Sequence, residues 1–190
     1  MPLILLMFMI VESAFLMKDY VSVSSAVRTG ARTASASAGA GPGTCQASAN
    51  PPPCTPGNAP AFAQGAADAI QRTASALDSN DIEWVLIYKP GANGYPQGQS
   101  SLICGSNCVK YVWDSGLSKF RYSSGSWASA SINACLNDPL RDSVGVGMQV
   151  RHGMVSGFFG ATKTIHETTV MQFEPLESDR CKVGTPNAHA

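Results

Sequence analysis

The run PLILLMFMIVESAFLM at residues 2–17 constrains this chain more than any other feature, being apolar apart from Glu12 and Ser13. It reads as a hydrophobic helix that holds the chain in a membrane. At 1.5 Å per residue it spans roughly 24 Å, short of a hydrocarbon core of ~30 Å. Continuing the helix through Tyr20, Val21 and Val23 closes that gap. A cleaved signal peptide is the competing reading. It is disfavoured because no basic segment opens the run, no A-x-A site directly follows it, and the small residues at 34–40 lie beyond any h-region. Glu12 is the anomaly, since a carboxylate inside such a run costs on the order of 2–3 kcal/mol to insert. It is expected either to sit near an interface or be protonated, or to make a helix–helix assembly contact.

The helix continues past the apolar run. Residues 18–38 contain no proline, and Val23, Val27, Gly30, Ala31, Ala34 and Ala38 recur at three- and four-residue spacing to give one face of small side chains. Small faces let helices approach closely. Arg28 and Arg32 lie four apart, away from that face, and are expected at the membrane–domain junction or on a solvated face. Gly39-Ala-Gly-Pro-Gly43 stops the helix.

Six cysteines point to an oxidising compartment. The spacing favours Cys45 with Cys54 and Cys104 with Cys108, leaving Cys135 with Cys181, although six cysteines allow fifteen connectivities. A rival reading takes Cys104, Cys108, His152 and His166 as a zinc site, but leaves the other four cysteines unexplained. Topology pulls two ways: Lys18, Arg28 and Arg32 follow the apolar run, so the positive-inside rule would keep the remainder in the cytoplasm. The cysteines are given the greater weight, which places the C-terminal domain outside and implies further basic residues ahead of Met1.

The charge balance excludes one partner class. Thirteen basic residues offset thirteen acidic ones, and charged residues make up only 14% of the chain. Without a basic stripe there is little to neutralise phosphates, so no nucleic acid is expected as a partner.

Downstream, residues 39–60 form a Pro/Gly-rich disulfide loop, 61–178 an extracytoplasmic α+β domain, and 179–190 a tail. Ala61–Leu77 is expected as a helix. Strands are expected at Ile82–Tyr88, Cys108–Trp113, Lys119–Tyr122, Val144–His152 and Ala161–Phe173, with a turn at Asp114 and a helical or irregular segment at Ser129–Leu136. The threonines at 162, 164, 168 and 169 suit an exposed sheet face. Tyr95, Trp113, Tyr122 and Trp127 are either core residues or a binding face, with core favoured.

No catalytic constellation emerges. His166 and Glu167 are adjacent on a strand and face opposite ways. Gly145-Val-Gly147 is a fragment of a dinucleotide fingerprint inside a strand, and no nucleophile elbow, H-E-x-x-H or P-loop is present. Asp138 and Asp142 flank a Pro139 turn and read as turn residues. The chain is expected to be no enzyme, with no metal and no cofactor.

Two segments resemble a known family. Val11-Glu12 after a leucine-rich helix, Gly30-Ala-Arg-Thr-Ala-Ser35, the strand carrying Val150-Arg-His152, the Gly-Phe-Phe-Gly linker at 157–160 and the closing Val170-Met-Gln-Phe-Glu-Pro175 are similar to the TadE-like pilus-assembly proteins. The match covers roughly 65 residues at the two ends of the chain. The resemblance implies a long N-terminal transmembrane helix before a pilin-like α+β domain, with an antiparallel β-sheet and at least one further helix. It also implies a non-enzymatic minor pseudopilin, single-pass in the cell membrane, partnered by other pilus or secretion-system subunits of a tight-adherence apparatus. A free-standing cell-envelope adhesin or ligand-binding domain is the alternative.

Overall fold

The small-residue face of the N-terminal helix organises the body of the molecule. In the computed structural model, which describes residues 2–45, 52–135, 141–155 and 160–176, helix α1 runs unbroken over Pro2–Ser35. Val23, Val27, Gly30, Ala31, Ala34 and Ala38 are all buried. They face helix α2, Phe62–Thr73, whose alanines and Ile70 are buried in turn. A β-carbon added to Gly30 would lie 2.6 Å from Ile70 Cγ1 and 3.4 Å from the Ala66 carbonyl oxygen, so the two helices cross closely because position 30 has no side chain. Helix α1 ends at Ser35, whose carbonyl accepts the Glu174 amide, and a 3₁₀ turn at Ala38–Ala40 follows.

The connection back to α2 is pinned locally. Cys45 and Cys54 are disulfide-bonded as the spacing suggested. Backbone bonds from Gly43 to Ala59 and from Ala61 to Gly41 close its base, and a buried hydrogen bond joins Thr55 to Tyr111. Helix α2 stops at Thr73, short of the expected Leu77, because the chain tightens there and the Leu77 amide bonds the Ala74 carbonyl.

Both helices cover one face of a five-stranded antiparallel sheet in the order β3-β2-β1-β4-β5. The strands are β1 (Ile82–Tyr88), β2 (Cys108–Asp114), β3 (Lys119–Ser126), β4 (Ser143–Gly153) and β5 (Thr162–Gln172). Central strand β1 is buried on both sides. Val85 and Ile87 join the main core, while Leu86 and Tyr88 form a second cluster with Cys108, Leu102 and Trp84. This accounts for its nearly continuous apolar sequence. In β4, Val144, Val146, Met148 and Val150 enter the main core, and the glycines between them lie under other side chains. The Tyr88 ring covers Gly145, its register partner, and Leu102 covers Gly147. Phe62, Trp127 and Phe173 stack edge-on or tilted at one end of the main core.

One expectation is corrected here. Among the described residues, no helix is long and apolar enough to cross a membrane. Of the residues that were to complete a transmembrane span, Val23 is fully buried in the domain core, while Tyr20 and Val21 are exposed. The Lys18 ammonium bonds the Ala76 carbonyl and Asp19 bonds His152. The charged pair at 18–19 thus marks where α1 meets the domain body.

Candidate functional site

Helix α1 divides into two parts by what surrounds it. From Val23 onward one face is covered by α2 and the sheet, whereas Leu3 to Val11 stand exposed on every side of the helix, and Phe15, Met17, Tyr20 and Val21 continue the exposed surface. Leu3 is 71% exposed and Met17 63%. Consecutive large apolar side chains exposed around a whole helix exceed anything an isolated water-facing surface normally carries. This apolar tip is the most distinctive surface of the molecule.

Glu12 is the exception within the tip. It is only 4% exposed and is not without a partner. With Ile4, Met7, Phe8, Val11 and Val155 it lines a cleft of about 260 Å³ between the tip and the end of β4. Within the folded chain Glu12 is thus covered by its own fold. Asp19 lies seven residues on, on the same face, and its Oδ2 is 2.7 Å from Nδ1 of His152. His152 is 5% exposed and its Nε2 is buried without a hydrogen-bond partner. The Asp19–His152 bond ties α1 to the end of β4, across 133 residues of sequence. Sequence reasoning missed it, because Asp19 reads as a flank of the apolar run and His152 as a strand residue. The one available signal was the seven-residue spacing of Glu12 and Asp19.

Arg28 and Arg32 are exposed on the flank of α1 that faces strand β5, well inside the domain and beyond the Lys18–Asp19 boundary. With Tyr20, Val21, Ser24, Ser25, Thr29 and Met171 they line an open groove of about 600 Å³. A second groove of about 520 Å³ lies nearer the tip, lined by Ser13, Leu16, Met17 and Tyr20 on α1 and residues 163–166 on β5. The nearby Glu167 carboxylate holds the Tyr20 hydroxyl above the ordinary tyrosine range. His166 is exposed and borders this second groove.

The zinc reading is overturned. Cys104 and Cys108 are disulfide-bonded to each other, and no group of residues suited to a metal ion occurs among the described residues. Cys135 is also disulfide-bonded; its expected partner Cys181, like Asp138, Pro139, most of the 157–160 linker and the 179–190 tail, lies outside the described residues. Of the four aromatics weighed as a binding face, Trp127 and Tyr122 are buried, Trp113 packs on the core, and Tyr95 is exposed.

The chain matches no family model, no curated protein and no solved structure.

Proposed function

We propose that the chain is a non-enzymatic, TadE-like minor pseudopilin: a membrane-seated, extracytoplasmic component of a tight-adherence pilus or related secretion system. The observation that carries this reading is the apolar tip, a helix segment built to be covered by something other than water and held rigidly on a disulfide-stapled body. On insertion scales, Leu3, Ile4, Leu5, Leu6, Phe8, Ile10, Val11 and Phe15 together favour a bilayer by roughly 2–5 kcal/mol. A lipid-exposed Glu12 would cancel much of that, at about 2.5–3.5 kcal/mol. Its burial against the protein itself keeps it off the lipid. The tip therefore seats in a membrane without spanning it alone, and such marginal insertion suits a subunit that is drawn from the bilayer into an assembly. The six cysteines support an extracytoplasmic body.

Two experiments test this. Flotation of the full chain with phospholipid vesicles is expected, and replacing Leu5 and Phe8 by Ser should leave it at the bottom of the gradient. Deleting the gene is expected to abolish piliation and surface attachment; a strain that keeps both defeats the pilus assignment. The alternative of an envelope adhesin draws on the basic groove at Arg28 and Arg32.

A further inference from the structure

Arg28 and Arg32 are the only charged side chains between Asp19 and Asp68. They stand one helical turn apart, at roughly 5–6 Å between β-carbons, and both are exposed. Neither forms an ion pair among the described residues, whereas Arg121 pairs with Asp114 and Lys89 with Asp142. Arg32 in the last turn of α1 also complements the helix dipole, but that role does not explain Arg28, a full turn deeper. In a chain with few charges and no net charge, the pair concentrates positive potential at a single concave place.

The groove they border has further features. Its volume of about 600 Å³ falls in the range of small-ligand sites rather than of protein–protein contacts. The exposed Tyr20 ring and Met171 provide an apolar wall, and Ser24, Ser25 and Thr29 present hydroxyls along the helix flank. The site is thus polarised: planar guanidinium forks for an oxyanion at one end, an aromatic surface and hydrogen-bonding groups for an uncharged polar body at the other. Bidentate pairing with carboxylate is the geometry that arginine favours.

We infer that this groove binds an acidic glycan, with a sugar carboxylate held by Arg28 and Arg32 and the adjoining ring laid against Tyr20. A lipid headgroup would present a phosphate without a carboxylate-bearing ring, and the sulfate probe below stands in for it. The inference does not depend on the pilus reading, since an isolated envelope protein would use the same groove.

Calorimetric titration of the full chain in detergent micelles tests it, with trigalacturonate, maltotriose, sodium sulfate and triglutamate as probes. Trigalacturonate is expected to bind at least tenfold more tightly than the other three. Arg28→Ala and Arg32→Ala should each weaken it about tenfold. Replacing both by Lys keeps the charge, loses the fork and should weaken binding severalfold, and Tyr20→Ala should do the same. Failure of trigalacturonate to bind, or unchanged affinity in the double Ala variant, overturns the inference. Equal binding of sulfate, or unchanged affinity in the double Lys variant, reduces the groove to a general anion patch and overturns the glycan assignment. Tighter binding of triglutamate reassigns it to an acidic peptide. All these substitutions fall on exposed positions, so each variant is expected to stay folded, with Arg32→Ala lowering the unfolding temperature slightly through the lost helix-end charge.

Discussion

Substituting Gly30 by Ala tests whether the crossing of α1 and α2 depends on the missing side chain. In an isolated helix the change is favourable by about 1 kcal/mol, because glycine is a poor helix former. Here the new β-carbon would fall 2.6 Å from Ile70 Cγ1 and 2.8 Å from its Cδ1. Ile70 is fully buried and β-branched, so it has little freedom to withdraw. Overpacking of that kind costs about 1–3 kcal/mol, so the net expectation is a destabilisation of roughly 0–2 kcal/mol. Gly65, also helical, has open space at its β-carbon position, so Gly65→Ala carries the propensity gain without the clash and should stabilise by roughly 0.5–1 kcal/mol. Thermal unfolding of the two variants should therefore diverge, by a few degrees in a chain of this size. A double variant sharpens the test. Ile70→Val alone costs about 0.5–1.5 kcal/mol, but in the Gly30→Ala background it removes the 2.8 Å contact to Cδ1, frees the shortened side chain to yield at Cγ1, and should cost less. If Gly30→Ala stabilises as much as Gly65→Ala, or if the double variant is strictly additive, the close crossing is not what position 30 serves.

Four further outcomes follow from the same packing. Gly145→Ala should cost more than Gly147→Ala in urea unfolding, because the Tyr88 ring over Gly145 is fixed by its hydroxyl bonds to the Gly94 carbonyl and Thr168, whereas the Leu102 methyls over Gly147 can shift. Asp19→Ala removes the bond to Nδ1 of buried His152, leaving neither ring nitrogen partnered, and should destabilise by about 1–3 kcal/mol, with hydrogen exchange rising first at the end of β4. Removing the Cys45–Cys54 bridge by a double Ser substitution should cost roughly 2–3 kcal/mol through the short loop it closes. Burial pushes the hydroxyls of Tyr88 and Tyr111 above the ordinary tyrosine range, partly countered by hydrogen bonds from Thr168 and Thr55. A group raised in the folded state lends stability that is complete below its unfolded pKa and is lost as pH climbs through the folded one. Stability should therefore hold to about pH 10 and fall above it, with these two tyrosines ionising last in a spectrophotometric titration.

Much of the fold was legible because it rests on local patterning. The small-residue face at 23–38 foretold a close helix contact, and only the identity of α2 as its partner needed the structure. The β1 strand was legible at both ends, and the valine–glycine alternation of β4 read correctly as a strand. Ser123–Ser126 was missed as strand. Its Ser-Ser-Gly-Ser sequence has no β preference of its own and is extended only because β2 pairs with it, past a register shift at Lys110/Tyr111. The boundary between tip and body was misplaced for a similar reason. Tyr20, Val21 and Val23 look apolar enough for lipid, and no local signal shows that Val23 packs in the core or that Asp19 meets His152. Arg28 and Arg32 were legible as a pair off the buried face, but the groove beside them is formed with Met171, far along the chain.

The central claim is that α1 is functionally divided, with an apolar tip seated in the membrane and a body held outside it. Spin labels placed singly at Leu5, Phe8, Ser25 and Thr29 of the full chain in phospholipid vesicles address it directly. The account predicts that labels at 5 and 8 collide readily with dissolved oxygen and are shielded from a water-soluble nickel chelate, with the reverse at 25 and 29. Nickel accessibility at Leu5 equal to that at Ser25 would contradict it.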